Sequence, residues 1–446
     1  GLDTNNREST PLAEQLVTCD AVMQRLASQG FRVIAIACRV ITEAEEGESL
    51  SDEASAENLE QNLTLAGFLG VEDPVRPEVE PAVAKCHAAG IEVLMITGDH
   101  PATALAVAAK AGIVEASCSA HLTGEALKQL TVAALVEQLQ QGVRVFARTT
   151  PEQKMKIVSA LKRMNKVVAM TGDGVNDAPA LRAADIGIAM GKQGTDVARE
   201  SAQIILLDDN FASIVSGIEE GRTVFENMRK FTSYVLVSNG PEILPYLLYI
   251  VLPVPLALNI VHILSIDLGT DLVPSMGLGQ EPSDPEVMSK TPRNPTQGLL
   301  NRELMIRSYC FLGLIEGVWS LFLFFYVLFS GGWHYGMPLD ASSPLHQSAT
   351  GITLSTILLM QIGNLVGRRY EHKSGVDVGL FRNRLIFAGI LIQVFLSWAI
   401  LYWPPLARVL NTGPVAPHIY GLAWFGIVLI FAIDYLRKNL PKTAAS

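Results

Sequence analysis

The chain has 446 residues, enough for two or three domains that each bury a core. Its formal net charge of −10 excludes a nucleic-acid partner, because such a partner requires a basic face on the protein. Only 17% of the residues are charged and the mean hydropathy is +0.30, which excludes an ordinary soluble protein. The apolar excess begins near residue 231, whereas residues 1–228 have the composition of a soluble protein.

The sequence opens with Gly-Leu-Asp-Thr-Asn-Asn and shows neither an initiator Met nor a signal peptide. A start inside a domain is not a natural boundary, so we expect this chain to be part of a longer protein. The five cysteines have no metal-like spacing, and we expect them to be reduced, buried thiols: Cys19, Cys38, Cys86, Cys118 and Cys310.

Strands and helices alternate through the soluble half, in the pattern of βα units and a parallel sheet. The predicted helices cover residues 11–29, 77–89, 102–111 and 154–164. The predicted strands cover residues 31–38, 63–69, 91–97, 144–147, 167–171 and 186–190. An acidic, Ser-rich stretch at 43–62 is predicted to be a solvated loop.

The apolar half contains six predicted membrane helices, each near the roughly 20 residues that a bilayer requires. They cover residues 231–252, 259–279, 305–330, 349–366, 385–403 and 419–436. Lys and Arg residues are concentrated on one side of these segments, while the three opposite loops contain only Arg408. This asymmetry predicts that both ends of the chain are cytoplasmic.

Polar loops follow three of the predicted strands. The carboxyl ends of parallel strands meet at one edge of a sheet, so these loops should converge on one site. Glycines there let the backbone approach phosphate oxygens, their amides can bind an anion, and carboxylates suit Mg²⁺. Lys154 opens the helix after the second loop and can neutralise a transferring phosphoryl group. The loop residues are Thr97-Gly98-Asp99, Arg148, and Thr171-Gly172-Asp173-Gly174-Val175-Asn176-Asp177.

Taken together, Thr97-Gly-Asp99, Lys154 and the Thr171–Leu181 sequence TGDGVNDAPAL resemble the phosphorylation domain of P-type ATPases, within the haloacid-dehalogenase-like superfamily. Asp73-Pro-Val-Arg76 is similar to that family's hinge motif. The resemblance implies ATP and Mg²⁺ as cofactors and an α/β parallel-sheet fold of that superfamily, followed by an α-helical membrane bundle. It implies that Asp173 binds Mg²⁺, that Asn176 and Asp177 support the site, and that Lys154 contacts the phosphoryl group. Thr97, Gly98 and Asp99 would line the site, with Asp73, Arg76 and Arg148 near nucleotide.

The departures from the family pattern concern its nucleophile. No DKTGT occurs in the sequence, and the one Thr-Gly-Glu, at residues 123–125, lies inside the phosphorylation domain rather than in an actuator. We therefore expect the phosphorylated Asp, the actuator, most of the nucleotide-binding domain and four further membrane helices to lie outside this chain. The predicted divisions are a nucleotide-domain remnant at 1–62, the phosphorylation domain and stalk at 63–228, and the membrane domain at 229–446.

Polar residues occupy the middle of the first two predicted spans. The first carries Ser238, Asn239, Pro241 and Glu242, where the proline should break the helix and free carbonyl oxygens for a cation. The second carries Asp267 and Asp271, which a helix would place on one face. Burying carboxylates in a membrane is costly, so we predict a cation site at these residues. Glu316 and Asp434 stand alone in the sequence and are interpreted as structural.

These spans resemble those of the sodium/potassium and proton/potassium pumps more than those of calcium pumps, and Ser238 stands where proton/potassium pumps carry Lys. The resemblance extends the cation site to Gln361 and Asn364. However, Asn364 replaces an Asp of the sodium pump and Gln393 replaces a Glu, so the ion stays open between the Na⁺/K⁺ class and Ca²⁺. The outside loop at 331–348 is short, which argues against a β-subunit partner.

Two rival functions remain at this point. A membrane-tethered phosphatase of the haloacid-dehalogenase superfamily would need an N-terminal DxD nucleophile and would leave Glu242, Asp267 and Asp271 without a role. If the chain is a regulatory half-pump, the reading frame just upstream should also lack the DKTGT and TGE sequences. We expect the partners of this chain to be the missing half of the same pump, the transported cations and the lipid bilayer, in an integral protein of the plasma membrane.

Overall fold

A computed structural model describes residues 12–29, 31–39, 63–71, 74–294, 297–370 and 382–439. The chain forms two compact units, the first comprising residues 1–218 with 288–292 and the second comprising 219–287 with 293–446. The division falls inside one long helix, between Ile218 and Glu219. Asp73 and the whole acidic 43–62 stretch lie outside the described residues.

The first unit contains eight described strands and eight described helices, in the alternation that the sequence predicts. Helices α1–α8 are Leu12–Ser28, Val79–Ala88, Pro101–Lys110, Gly124–Gln129, Val132–Gln140, Pro151–Arg163, Ala178–Ala183 and Asp196–Ser201. Strands β1–β8 are Arg32–Cys38, Thr64–Val71, Met95–Ile96, His121–Thr123, Val145–Ala147, Ala169–Gly172, Ile186–Met190 and Ile204–Leu206. Strands β4 and β8 and helices α4, α5, α7 and α8 were not predicted.

The strands form three sheets rather than one. β1 and β2 pair antiparallel, with Arg32 opposite Val71 and a bulge between Ile36 and Ala37. The other two sheets are parallel and three-stranded, in the orders β3-β5-β4 and β6-β7-β8. The parallel βα arrangement is therefore confirmed, but the expectation of a single sheet is wrong. β3 pairs only at Met95 and Ile96, so it is much shorter than the predicted strand at 91–97.

Helix α6 holds the two parallel sheets through separate apolar clusters. Ile157 packs with Phe146 of β5 in one cluster, and Val158 packs with Met170 of β6 in the other. Ile96 of β3 and Leu161 of α6 contact both clusters. Edge strands β3 and β6 consequently lie in the same part of the unit, with the loops that follow them at the same end of α6.

The second unit is helical. Helix α9 (Phe211–Val251) has 41 residues and is followed by α10 (Ile260–Leu264), a π-helical segment (Ser265–Thr270) and α11 (Leu272–Gly279). The remaining described helices are α12 (Arg302–Ser330), α13 (Pro344–Arg368), α14 (Arg384–Tyr402), α15 (Pro404–Leu410) and α16 (Pro417–Asn439).

Four helices, α12, α13, α14 and α16, are long and apolar enough to cross a membrane. They coincide with the last four predicted spans. The first two predicted spans remain predictions, because polar and Pro residues interrupt the apolar part of α9 and the second segment is divided at the π-helical turn. Helix α13 is the centre of the unit, since every residue from Ala349 to Arg368 is buried.

The cysteines are free thiols, but the expectation that they are buried holds only for Cys86. Cys38 and Cys310 are exposed, and Cys19 and Cys118 are half-buried. Cys310 lies in the π-helical part of α12 rather than in the soluble unit.

Candidate functional site

The loops after β3 and β5 are joined by backbone hydrogen bonds. The Arg148 amide donates to the Asp99 carbonyl and the Thr149 amide donates to the Thr97 carbonyl, both at 3.1 Å. The Thr97 hydroxyl donates to Asp99 Oδ2 at 3.0 Å, while its oxygen accepts from the Asp99 amide at 3.1 Å. These bonds fix Thr97 and Asp99 against the second loop. The predicted convergence of these two loops is therefore present in the structure.

Arg148 has a strained backbone that a neighbouring glycine accommodates. Its φ of 51° is left-handed, which is uncommon for a residue with a side chain. A Cβ on Gly124 would lie 2.1 Å from the Arg148 carbonyl oxygen, so only glycine fits there. The Gly124 carbonyl in turn accepts from Gln153 Nε2 at 2.7 Å. The Thr123-Gly-Glu125 sequence thus supports the second loop, a role that its sequence alone did not reveal.

Lys154 and Asp177 form the central ion pair of this site. Lys154 Nζ lies 2.5 Å from Asp177 Oδ1, and the two side chains are only 15% and 9% exposed. Asp177 Oδ2 accepts from the amides of Asp173 and Gly174, each at 3.3 Å. A Cβ on Gly172 would lie 2.4 Å from Asp177 Cβ, so glycine is required where Asp177 packs under the loop. The amides that we expected to bind an outside anion therefore bind the Asp177 carboxylate.

Asp173 and Asn176, by contrast, are exposed. The Asp173 carbonyl accepts from the Thr195 amide at 2.8 Å, which ties the loop to the start of α8. A Cβ added to Gly98 would meet no atom within 4 Å, so the space beside this residue is open. An exposed carboxylate on a loop braced by Asp177 and Thr195 suits a hard divalent cation such as Mg²⁺.

Pro74, Val75 and Arg76 of the predicted hinge are described, and the candidate site residue among them is Arg76. It is exposed, and its Nη1 lies 3.4 Å from the Asp208 carbonyl. The next residue, Asp209, accepts hydrogen bonds from the amides of Lys192, Gln193 and Gly191 at 3.0, 2.9 and 2.7 Å. These bonds hold the pKa of Asp209 below its ordinary value, with the Lys192 amide as the largest cause. Sequence reasoning missed this brace of the 191–193 turn.

In the helical unit, α9 carries Glu242 without a break. Pro241 and Pro245 both lie inside the continuous helix, so the expectation that Pro241 breaks it is wrong. Because proline has no N–H, the carbonyls of Val237 and Pro241 still lack the usual donor four residues later. Glu242 is buried, and its Oε1 has no hydrogen-bond partner. Ser238 is fully buried and donates to the Val235 carbonyl, while Asn239 Nδ2 lies 3.4 Å from the Tyr309 hydroxyl.

Asp267 and Asp271 differ in exposure. Ser265–Thr270 is π-helical; Asp267 within it is exposed, whereas Asp271, directly after it, is 4% exposed. Both charges are nevertheless within electrostatic range of Glu242. That the two acids share one face of the helix stays a prediction.

Tyr234 connects Asp271 to Gln393. The Tyr234 hydroxyl donates to Asp271 Oδ1 at 3.1 Å and accepts from Gln393 Nε2 at 2.9 Å. Tyr234 is completely buried, and Asp271 Oδ2 has no partner. Sequence reasoning missed Tyr234, although its spacing one turn before Ser238 placed it on the same face of α9. Gln393, noted in the sequence only as a replacement for Glu, thus reaches the carboxylate cluster.

Gln361 and Asn364 are buried in α13 and contact an acid that we had interpreted as isolated. Gln361 Nε2 lies 3.3 Å from Glu316 Oε2, and Asn364 Nδ2 lies 2.9 Å from Gln361 Oε1. The interpretation of Glu316 as standing alone is therefore wrong. A sequence shows no sign of this contact, because 45 residues separate the two positions.

Asp434, by contrast, is surrounded by cations. It forms ion pairs with Arg368, with Arg437 at 2.9 Å and with Lys438 at 3.2 Å. Arg369 forms a second buried ion pair with Glu281. These contacts join α16 to the end of α13 and give Asp434 the structural role that the sequence suggested.

Two family models match the chain. One, described as haloacid dehalogenase-like hydrolase, covers residues 10–185, and the other, described as cation transporting ATPase, C-terminus, covers residues 255–440. The first contains every candidate residue of the phosphate site, and the second contains Asp267, Asp271, Gln361 and Asn364. Curated relatives align with 97% of the chain. The chain belongs to the P-type cation-transporting ATPases.

Three relatives illustrate how this ATPase chain compares with curated proteins. Potassium-transporting ATPase alpha chain 2 is 34% identical in Oryctolagus cuniculus and 36% identical in Homo sapiens, each over 97% of this chain. Sodium/potassium-transporting ATPase subunit alpha-4 of Homo sapiens is 37% identical over 85% of this chain. The aligned regions cover 44%, 47% and 42% of those relatives, so the chain spans about half the length of the curated relatives it matches.

Proposed function

We propose that this chain supplies the phosphate-chemistry loops and the cation-binding helices of an ATP-driven cation pump that works through an aspartyl phosphate. The observation that carries the proposal is that one chain contains both a candidate phosphate site and a candidate cation site. The Lys154–Asp177 pair lies under the exposed Asp173 in one unit, and buried Glu242 and Asp271 lie together in the other. A phosphatase would use only the first site.

We propose that the phosphorylated Asp enters between β3 and β6. Each of these strands is paired on one side only in the described structure, and Ile96 of β3 packs with Met170 of β6. A strand placed between two parallel edges ends at the same side as the loops of Thr97 and Asp173. The DKTGT sequence, absent from this chain, would then lie beside Lys154.

Mg²⁺ and ATP are the cofactors of this proposal. Asp173 would hold the Mg²⁺, which neutralises charge on the transferring phosphoryl group. Asp177 would keep Lys154 and the loop in place, while Thr97 and Asp99 form the opposite wall. Arg148 is exposed in the second of these loops and Arg76 is exposed beside Asp208; in this proposal both contact nucleotide, together with Asp73.

The cation site of the proposal, braced by Tyr234, consists of Ser238, Asn239, Glu242, Asp267, Asp271, Gln361 and Asn364. Asp267 is exposed in the described structure, and a carboxylate cannot face lipid without a large free-energy cost. We therefore propose that a membrane helix outside this chain covers Asp267. The proteins named for Na⁺ and K⁺ transport support an ion of that class, in an integral membrane protein with its charged loops cytoplasmic.

Cation-stimulated phosphorylation tests this proposal. In the native protein, including any polypeptide that accompanies this chain, Glu242→Gln should raise the half-saturating cation concentration by at least ~10-fold, because the buried charge that attracts the cation is gone. Asp340→Asn, in an exposed loop, is the control and should change nothing. Retention of normal cation dependence in Glu242→Gln would place the transported ions elsewhere.

A further inference from the structure

The turn at residues 191–195, which follows β7, is bound by charged side chains on both its amide and its carbonyl groups. Asp209 accepts three of its backbone amides. Arg199 Nη1 donates to the carbonyls of Gly191 and Gly194, at 2.9 and 2.8 Å. Hydrogen bonds to ionised groups are shorter and stronger than bonds between neutral groups. The backbone of this turn is therefore clamped between a carboxylate and a guanidinium.

The last residue of the turn connects this clamp to Asp173. The Thr195 amide donates to the Asp173 carbonyl at 2.8 Å, and the Asp173 amide donates to Asp177 Oδ2 at 3.3 Å. The peptide groups on both sides of the Asp173 Cα are thus fixed. The exposed carboxylate extends from a backbone whose position depends on Asp177 at one end and on the turn at the other.

Close packing makes the turn a rigid connection. A Cβ on Gly194 would lie 1.9 Å from the Met190 carbonyl oxygen, and one on Gly191 would lie 2.6 Å from the Leu206 carbonyl oxygen. Backbone that is packed this closely cannot absorb a displacement internally. A shift of the turn is therefore passed on to Thr195 and to the carbonyl that its amide holds.

A simpler interpretation of Arg199 is a surface ion pair within helix α8, because its Nη2 lies 2.5 Å from Asp196 Oδ1. The Asp196 side chain is 87% exposed, and exposed pairs of this kind contribute little to stability. The Arg199 side chain is only 33% exposed. Its two bonds to the turn, rather than the pair with Asp196, account for its half-buried position.

We propose that Arg199 is a positioning residue for the Mg²⁺ site. It holds the 191–195 turn in the place where the Thr195 amide fixes Asp173, and it acts through that amide rather than by contact with the metal. This inference rests on the proposed function, in which Asp173 binds Mg²⁺, and it adds a residue that sets the affinity for that ion.

ATP hydrolysis by the native protein, titrated with free Mg²⁺ at saturating ATP, is the first test. Arg199→Gln should raise the half-saturating Mg²⁺ concentration by at least ~10-fold, as expected for a group that orients a metal ligand. Thr195→Pro should do the same, because it removes the amide donor at a φ of −69° that proline adopts. The half-saturating ATP concentration should not change in either variant.

Two variants serve as matched controls and should keep the wild-type Mg²⁺ dependence. Thr195→Ala retains the amide but loses the side-chain oxygen that accepts from the Ala198 amide at 3.3 Å. Arg163→Gln removes an exposed arginine at the end of α6. If Thr195→Ala raises the half-saturating Mg²⁺ concentration as much as Thr195→Pro, the side-chain oxygen rather than the amide is responsible, and the inference is overturned.

Hydrogen–deuterium exchange of the metal-free native protein is the second test, because it needs neither Mg²⁺ nor turnover. Arg199→Gln should reduce the protection of the 191–195 amides and leave that of α6 unchanged, which also shows that the variant folds. Faster exchange with an unchanged Mg²⁺ dependence would make Arg199 a local structural contact and overturn the inference. A changed Mg²⁺ dependence without faster exchange would overturn it too.

Failure of the proposed function gives a different result. In that case the wild-type protein itself shows no Mg²⁺-dependent ATP hydrolysis, and the inference falls with it. If Arg199→Gln does not fold, the comparison of Thr195→Pro with Thr195→Ala decides the question.

Discussion

Asp173 and Asp177 are four residues apart, but the structure gives their carboxylates opposite environments. Asp177 is buried and uses both oxygens for Lys154 and for backbone amides, so it shapes the loop. Asp173 is exposed and is free to face a ligand. The sequence identified both as site residues, and only the packing distinguishes support from contact.

Asp173→Asn should therefore abolish turnover without affecting folding. ATP hydrolysis should fall by more than ~100-fold because the charge that holds Mg²⁺ at the phosphoryl group is lost. The free energy of unfolding should change by no more than about 0.5 kcal/mol, as for other exposed side chains. Glu137→Gln, on the exposed face of α5, is the control for both measurements. Near-normal hydrolysis in Asp173→Asn would refute its assignment.

Asp209 provides a pH-dependent test at the same scale. Its folded pKa lies below the ordinary value of 3.8, so its stabilising effect is present above about pH 4 and is lost as pH falls through the folded pKa. Asp209→Gly keeps the positive φ of 52° but removes the three hydrogen bonds. Its Tm should be lower than that of the wild type at pH 7, with a smaller difference at pH 3. The Tm of Asp209→Asn, which retains one acceptor oxygen, should lie between the Tm of the wild type and that of Asp209→Gly. A Tm difference between wild type and Asp209→Gly that grows toward pH 3 would contradict this explanation.

At the scale of elements, the contact between α9 and α12 depends on glycine. A Cβ at Gly240 would meet the Gly313 backbone at 2.6 Å, so the two helices would have to separate. Gly240→Ala should destabilise the protein by about 1–3 kcal/mol, the usual cost of overpacking. Gly221 lies in the same helix with open space around it, and Gly221→Ala should stabilise by roughly 0.5–1 kcal/mol. Thermal unfolding in detergent measures both, and shifts of the same sign would contradict the prediction.

The elements also show where sequence patterns stop being informative. Apolar runs and turn residues predicted six of the eight described strands and half of the described helices of the first unit, because those signals are local. They could not show that β3 shortens to two residues, since strand length depends on which partner pairs with it. Nor could they show the π-helical turn at Ser265–Thr270, or the Glu316–Gln361 contact across 45 residues. Both depend on how neighbouring helices pack.

At the scale of the whole molecule, the chain carries two different candidate sites, one in each unit. The first unit braces an exposed carboxylate beside a Lys–Asp pair, and within the described structure the helical unit buries carboxyl groups that each leave one oxygen without a hydrogen-bond partner. We propose that these are the phosphate-handling part and the cation-binding part of one pump.

ATP hydrolysis by the native protein, measured with Na⁺, K⁺ and Ca²⁺ supplied separately, tests the central claim most directly. We expect Mg²⁺-dependent hydrolysis that Na⁺, K⁺ or both stimulate and that Asp173→Asn abolishes. Stimulation by Ca²⁺ alone would contradict the proposed ion class. Hydrolysis that is indifferent to all three cations would contradict the assignment of the chain to a cation pump.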